Sequence, residues 1–405
     1  MGKTVKQTKD ERRRTGCGRP FVLLCLVLIL VACSGTAPSA LTATAVSEQW
    51  AVGIGCLPQG SFSALVGGTL IDGTGAVPLP DAALVIQGDC IVAVGPRDAI
   101  SIPGDARVVE LEGAFLLPGL IDAHVHNAYL ARNLQTWARA GVTTVRDLGA
   151  PLGFPYFSRR DELAAGPLVT VPDGYPIVPN QFASLTVTSP DDARAKIARL
   201  VDEGADVIKI TFSSNLPTLS PEEAAAIVQT AHERDIPVSA HATNPRELER
   251  ALDAGVDDVA HMSEDRVKDA VLRRMVRAGV SWVPTLEALH GHGTENLARF
   301  IEAGGQVALG TDAGYLAGLE IGMPMDEIAL LHQAGMTPMQ IIVAATRNAA
   351  RVCRLEHELG ALEPGKLADV LVVDGNPLED LQILTRVRLV MRGGVILRDG
   401  RTKDE

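Results

Sequence analysis

Eight short apolar runs recur along the middle of the chain, separated by helical, charged stretches. In order they are GLIDAHVH (119–126), VTTVRDL (142–148), PLVTVP (167–172), DVIKITF (206–212), PVSAHA (237–242), DDVAHM (257–262), SWVPTL (281–286) and VALGTD (307–312). Stretches such as PDDARAKIARLVDEG (190–204) and PEEAAAIVQTAHERD (221–235) carry helical periodicity between them. Apolar strands alternating with amphipathic helices are βα units, and eight of them predict an α/β chain with a TIM (β/α)8 barrel. In such a barrel the chemistry lies at the C-terminal ends of the strands.

The 405 residues leave room for a barrel and a smaller partner. Residues 61–115 read as short β-runs and turns, among them ALVGGTLIDGTG and AALVIQGDCIVAVG. Residues 358–400 repeat that style in LGALEPGKLADVLVVDGNP and RLVMRGGVILRDG. The spacing predicts one small β-sandwich module formed by both chain ends, flanking a barrel over 116–357.

The first 32 residues have a different texture. Seven Lys and Arg precede the unbroken apolar run Phe21–Ala32. As a helix, twelve residues reach about 18 Å, short of a bilayer core of about 30 Å. This is the pattern of a secretory signal peptide over 1–32. The sequence Leu30-Val31-Ala32-Cys33 resembles a bacterial lipoprotein signal, which implies lipidation at Cys33. Residues 33–60, rich in Ser, Thr, Ala and Gly, then read as a tether. The expected location is an exported, membrane-anchored lipoprotein on the periplasmic or cell-surface face. After cleavage 30 basic and 47 acidic residues remain, a formal charge of about −17. That balance argues against nucleic acid as a partner.

Of six cysteines, Cys56, Cys90 and Cys353 would be free in the mature chain. A Cys56–Cys90 disulfide is possible outside the cytosol, and three thiols cannot all pair. No CxxC spacing points to zinc on sulfur.

The polar residues at the predicted strand ends form a pattern. The first strand ends in His124-Val125-His126, whose alternate side chains share a face. The fourth carries Lys209 inside an apolar run, the fifth ends at His241, the sixth at His261 and the eighth at Asp312. Nitrogen and carboxylate donors at one rim suit a divalent metal, zinc first among them. Any one of these histidines alone would be unremarkable as a core or surface residue. Their placement at the ends of different, correctly ordered strands is what predicts a metal site.

That order of residues resembles the amidohydrolase superfamily of metal-dependent hydrolases. The flanking LLPGLIDAHVH (116–126), GVTTVRDLG (141–149), LGTDAG (309–314) and GALEPGKLADVLVVDGNPL (360–378) agree with it. Within it the chain is most similar to the imidazolonepropionase-related branch, which includes prolidase-like dipeptidases. The resemblance implies that His124, His126 and Asp312 hold one metal and that His241 and His261 hold a second. It implies that Lys209, carboxylated by CO2, bridges the two as a carbamate. Asp312 would be the catalytic general base toward a metal-bound hydroxide. Imidazolonepropionases proper use one metal and no carbamate, so Lys209 favours the two-metal, dipeptidase-like group.

The chain departs from the family after the third strand, where PDGYPIVPN replaces a glycine-histidine pair. Tyr175 in that stretch either polarises a substrate carbonyl or packs. His290 and His292 are a candidate rim pair or a solvated loop. Arg146 and Asp147 read as a structural ion pair, and His232, His332 and His357 as surface residues. The expected function is cleavage of a C–N bond in a small molecule, most concretely a dipeptide. The alternatives are a cyclic-amide hydrolase and, in another class, a non-catalytic ligand-binding lipoprotein. Assembly into a homo-oligomer is also open.

Overall fold

The computed structural model describes residues 56–151, 162–176 and 184–401. The signal peptide over 1–32, Cys33 and the tether up to residue 55 lie outside these residues. Five strands come first: β1 (Phe62–Leu70), β2 (Leu79–Gln87), β3 (Cys90–Pro96), β4 (Arg107–Glu110) and β5 (Phe115–Pro118). The central region holds β6 (Leu120–Val125), β7 (Val142–Asp147), β8 (Glu162–Ala164), β9 (Leu168–Thr170), β10 (Ser184–Thr186), β11 (Ile208–Thr211), β12 (Val238–His241), β13 (Asp258–Ala260) and β14 (Ser281–Val283). The chain finishes on β15 (Val370–Val373), β16 (Val387–Arg392) and β17 (Val395–Asp399).

The two chain ends share one eight-stranded sheet, ordered β17-β16-β15-β5-β1-β2-β3 with β4 paired to β1. Strand β5 joins the ends: it pairs parallel with β1 and antiparallel with β15. A compact apolar cluster lies along this sheet, with Leu65, Leu84, Leu116, Val370 and Leu389 all buried. Cys56 and Cys90 form a disulfide, with Cα atoms 5.4 Å apart, which ties the segment before β1 to the start of β3. Cys353 is a buried free thiol.

The central strands run parallel in the pairings β6-β7-β8 and β9-β11-β12-β13-β14. Helices intervene: α1 (Ala131–Ala140), α2 (Pro190–Asp202), α3 (Pro221–His232), α4 (Pro245–Ala254), α5 (Asp269–Ala278), α6 (Thr294–Glu302) and α7 (Met325–Gln333). Local sequence explains where three of them start. Ser189, Ser220 and Asn244 each accept a hydrogen bond from the first turn, and each is followed by proline at the first helical position. Ser220 and Glu223 complete a reciprocal capping box. The apolar faces of these helices join the strands in one large buried cluster.

The strands depart from expectation in two ways. The third predicted run forms β9, which pairs with β11, but two strands not expected from the sequence flank it: β8, paired with β7, and β10, paired with β9. The eighth run, 307–312, forms no regular strand. It is bonded on one side to β14, where Ala308 N–H donates to Trp282 C=O. On the other side it meets β6, where Ala123 N–H donates to Leu309 C=O. The ladder is broken because Leu309 N–H turns away to Ala344 C=O and because Asp312 takes a left-handed backbone, φ 66°.

Candidate metal centre

Strand register sets the heights of the polar side chains. Lys209, Ser239 and Asp258 pair across β11, β12 and β13 at one level, and Thr211, His241 and Ala260 at the next. His261 follows β13 directly. His124 lies in β6 and His126 just beyond it. The structure therefore brings His124, His126, Lys209, His241, His261 and Asp312 to one end of the parallel strands.

The group is tight. Asp312 Oδ1 lies 2.9 Å from His126 Nε2 and 3.1 Å from His124 Nε2. Donor atoms of His124, His261 and Asp312 converge within 4.8 Å of one another. Ring centroids of His124 and His261 are 4.8 Å apart, and those of His241 and His261 are 4.6 Å apart. Ligands about 2.0–2.1 Å from a tetrahedral ion stand a little over 3 Å from each other, close to the 2.9 and 3.1 Å between Asp312 and its two histidines.

Electrostatics prepare the donors. Burial holds the imidazoles of His124 and His241 neutral, down to about 3, helped by the nearby Lys209. Burial likewise pushes His261 well below its usual range. A neutral ring is the form that ligates a cation. Burial works against a charged Asp312, yet His124 and His126 outweigh it and hold that carboxyl well below the usual range. Lys209 is fully buried, its Nζ has no hydrogen-bond partner among the described residues, and burial lowers it to about 7. A buried amine without a partner is costly in a protein interior, so its retention calls for a reason. The donor set of His124, His261 and Asp312 beside it fits a divalent metal.

Several supporting residues were not legible beforehand. Thr285 Oγ1 lies 2.8 Å from His261 Nδ1 and orients the ring. Asp122 accepts from Thr311 Oγ1 (2.7 Å), Thr311 N–H and His124 N–H, which fixes the Asp312 turn against β6. His261 and Asp312 both have left-handed backbones, φ 71° and 66°. Such strain costs roughly 1–3 kcal/mol per residue and persists where surroundings over-determine the conformation. Glycine signals in LGTDAG did mark this site. A Cβ at Gly310 would stand 2.9 Å from the Cβ of His124, and one at Gly314 would stand 2.0 Å from His126 O.

Other sequence candidates fall elsewhere. Tyr175 stacks on His241, centroids 4.4 Å apart and 20° from parallel. Arg146 and Asp147 do not pair with each other, because neighbours on a strand face opposite ways. Arg146 binds Asp258 at 2.9 and 3.0 Å, whereas Asp147 Oδ1 lies 3.9 Å from His126 Nδ1. His290 and His292 are exposed, as are His232, His332 and His357.

The amidohydrolase family profile matches residues 115–397. The chain belongs to the amidohydrolase family. It is similar to the ochratoxinase of Aspergillus niger, 26% identical with 84% of this chain and 87% of the relative covered. It is also similar to the imidazolonepropionase of Geobacillus thermodenitrificans, 25% identical over 80% of this chain and 92% of that one. Among solved structures, a Xaa-Pro dipeptidase with methionine in its active site superposes with a TM-score of 0.73 at 25% identity, covering 83% of this chain and 99% of that one. This amidohydrolase is thus an enzyme acting on C–N bonds, with a TIM-barrel-type fold.

Proposed function

We propose that this amidohydrolase is a two-metal hydrolase of small amides, most concretely a prolidase-like dipeptidase. The observation that carries the reading is Lys209: a fully buried amine with no hydrogen-bond partner among the described residues, near His124, His241, His261 and Asp312. His124, His126 and Asp312 would hold one divalent ion, zinc being the metal that suits the nitrogen-rich donors, and His241 and His261 a second. Lys209 as a carbamate would give both an anionic oxygen. Bound metals would lower the pKa of a water and polarise the scissile carbonyl. Asp312, kept anionic by its two histidines, accepts a proton from the attacking water and delivers it to the leaving nitrogen. Water and amide thereby become an acid and an amine. Likeness to the Xaa-Pro dipeptidase supports the choice of dipeptides over cyclic amides.

The finer architecture belongs to the same reading. The hydrogen bonds of residues 306–313 to β14 and β6 support a closed (β/α)8 barrel over 116–357. The shared end sheet supports a β-sandwich module made of 61–115 and 358–400. Export and anchoring through Cys33 rest on the sequence of residues 1–33, and labelled palmitate lost on Cys33→Ala would test them. The deciding experiment is elemental analysis of the purified protein and its Lys209→Ala variant. About two metals per chain, falling sharply in the variant, support the carbamate-bridged centre. One metal in both removes Lys209 from the centre and shifts the substrate to a cyclic amide. Comparing kcat/KM for Xaa-Pro dipeptides and cyclic amides then tests the substrate directly.

A further inference from the structure

Two glycine turns and the segment after Cys56 meet at one corner of the end sheet. Gly88, in the turn joining β2 to β3, donates its N–H to Ser61 C=O at 3.0 Å. A Cβ at Gly394, in the turn joining β16 to β17, would stand 2.0 Å from Gly88 O, so the two turns pack backbone against backbone. The Cys56–Cys90 disulfide lies beside them. Whatever precedes Cys56 therefore joins the molecule at this corner.

Two large apolar side chains project there: Leu57 is 64% exposed and Val395 is 62% exposed. Val395 shares a groove of about 330 Å³ with Leu359, Leu367, Leu397 and Arg392. Leu397 and Arg392 continue into a second groove beside α1, where Arg139 joins them. Arg398 Nη1 donates to the backbone carbonyl of Arg139 at 3.2 Å. An apolar strip is thus bordered by three guanidinium groups. The local charge opposes that of the rest of the chain. Residues 386–401 carry five arginines and one acid, Asp399, a formal +4, whereas the chain from Cys33 onward carries about −17. Arg388 and Arg401 are held by Asp374 and Asp399, so the charge on the strip falls to Arg392 and Arg398, with Arg139 beside them.

The corner lies at the end of the parallel strands away from the metal centre. Arg139 is near the close of α1, just before β7 begins. Leu359 and Leu367 also line a cavity with Asp206 and Pro237, which come just before β11 and β12. His241, His261 and Asp312 stand at the opposite ends of their strands.

We propose that this corner is a docking surface for an anionic phospholipid bilayer. The proposal rests on the anchoring through Cys33 read from residues 1–33 and adds a second, protein-borne contact to it. One acyl chain alone holds a protein to a bilayer only weakly, and a basic patch beside apolar side chains supplies what it lacks. Leu57 and Val395 enter the interface. Arg392 and Arg398 reach lipid phosphates while their carbon stems lie along the apolar strip. An acidic protein is repelled by an anionic surface, so a basic stretch on one side decides which side faces it. The mouth of the metal centre then faces water and stays open to substrate.

The test uses the exported protein carrying Val395→Cys and follows the rate at which the new thiol reacts with a bulky maleimide. Cys56 and Cys90 are bridged and Cys353 is buried, so the signal comes from position 395. Leu316→Cys, at a site 41% exposed and four residues past Asp312, reports on the mouth. Rates are taken in detergent, with phosphatidylcholine vesicles, and with vesicles that also contain phosphatidylglycerol. The expected result is a Val395→Cys rate about tenfold lower with the mixed vesicles only, recovered when Arg392→Glu and Arg398→Glu are added. Leu316→Cys should react equally in all three. Equal protection by phosphatidylcholine alone, no protection, or matching protection of Leu316→Cys overturns the proposal. So does protection in detergent that grows with protein concentration, the mark of a second copy on this face. At saturating lipid the assay needs no acyl chain, so failure of the anchoring reading shows separately, as palmitate label absent from Cys33.

Discussion

Arg146 and Lys209 are two fully buried cations in one set of parallel strands, and their surroundings are opposite. Arg146 is enclosed. Its two terminal nitrogens reach Asp258 at 2.9 and 3.0 Å, its Nε donates to Ala123 C=O at 2.7 Å, and Ser239 supports Asp258. Lys209, level with Ser239 and Asp258, has no hydrogen bond at all from Nζ among the described residues. The chemistry of the side chains explains the difference. A guanidinium cannot shed its proton in a protein, so its burial requires a partner. A lysine amine can, and burial brings Lys209 to about 7. Complete pairing marks Arg146 as a structural group, and the unpaired amine of Lys209 is the feature on which the two-metal proposal rests.

The largest effect that would sharpen this contrast is at Asp312. Asp312→Asn keeps the size of the side chain and tolerates the left-handed backbone, since Asn visits that region readily. It removes the proton acceptor and weakens a ligand. We expect kcat/KM to fall by about 10³-fold or more while the thermal midpoint of the metal-free protein stays within a few degrees. Full activity in the variant would end the proposed role.

The two cations give the next test. Arg146→Met leaves Asp258 buried and uncompensated, and should cost about 3–5 kcal/mol in denaturant unfolding of the metal-free protein. Lys209→Met removes an unpartnered amine and should leave that stability unchanged or raise it. Equal losses would break the comparison. At His261, Thr285→Ala removes the partner of Nδ1 and should weaken metal binding about 10–100-fold, with Thr285→Ser restoring it.

How much of this was visible in the sequence follows from the same physics. The histidines, Lys209 and Asp312 were legible because strand ends converge, so order along the chain became proximity in space. The shared end sheet was legible from matching β texture at both termini. Arg146 was misassigned because Asp147 is its neighbour in sequence, while its partner Asp258 is 112 residues away on β13. Thr285 and Asp122 escaped notice because hydroxyl and carboxyl groups acting through a ligand leave no spacing signature. The extra strands β8 and β10 were not read from the sequence, and the irregular eighth run depends on single hydrogen bonds, such as Leu309 N–H to Ala344 C=O, that apolar pattern does not encode.

Glu327 on α7 offers a third buried charge and the smallest expected effect. It is fully buried, and one of its oxygens accepts from Glu287 N–H at 2.8 Å while the other has no partner among the described residues. Burial chiefly, with added repulsion from Asp122 and Glu287, raises its carboxyl to about 8 from an ordinary 4.5. A raised carboxyl means the folded protein binds this proton more tightly than the unfolded chain does. Its contribution to stability is therefore complete below about 4.5 and is lost as pH rises toward 8. Glu327→Gln keeps a carbonyl for Glu287 N–H and carries no charge at any pH. The variant should match the wild type at pH 4.5 and melt higher at pH 9. Some alkaline loss should remain, because Asp122 and Glu287, both raised to about 7, act with the same sign. A variant that melts lower at pH 9 would show that Glu327, like Arg146, is held by a partner and does not belong with Lys209 among the orphans.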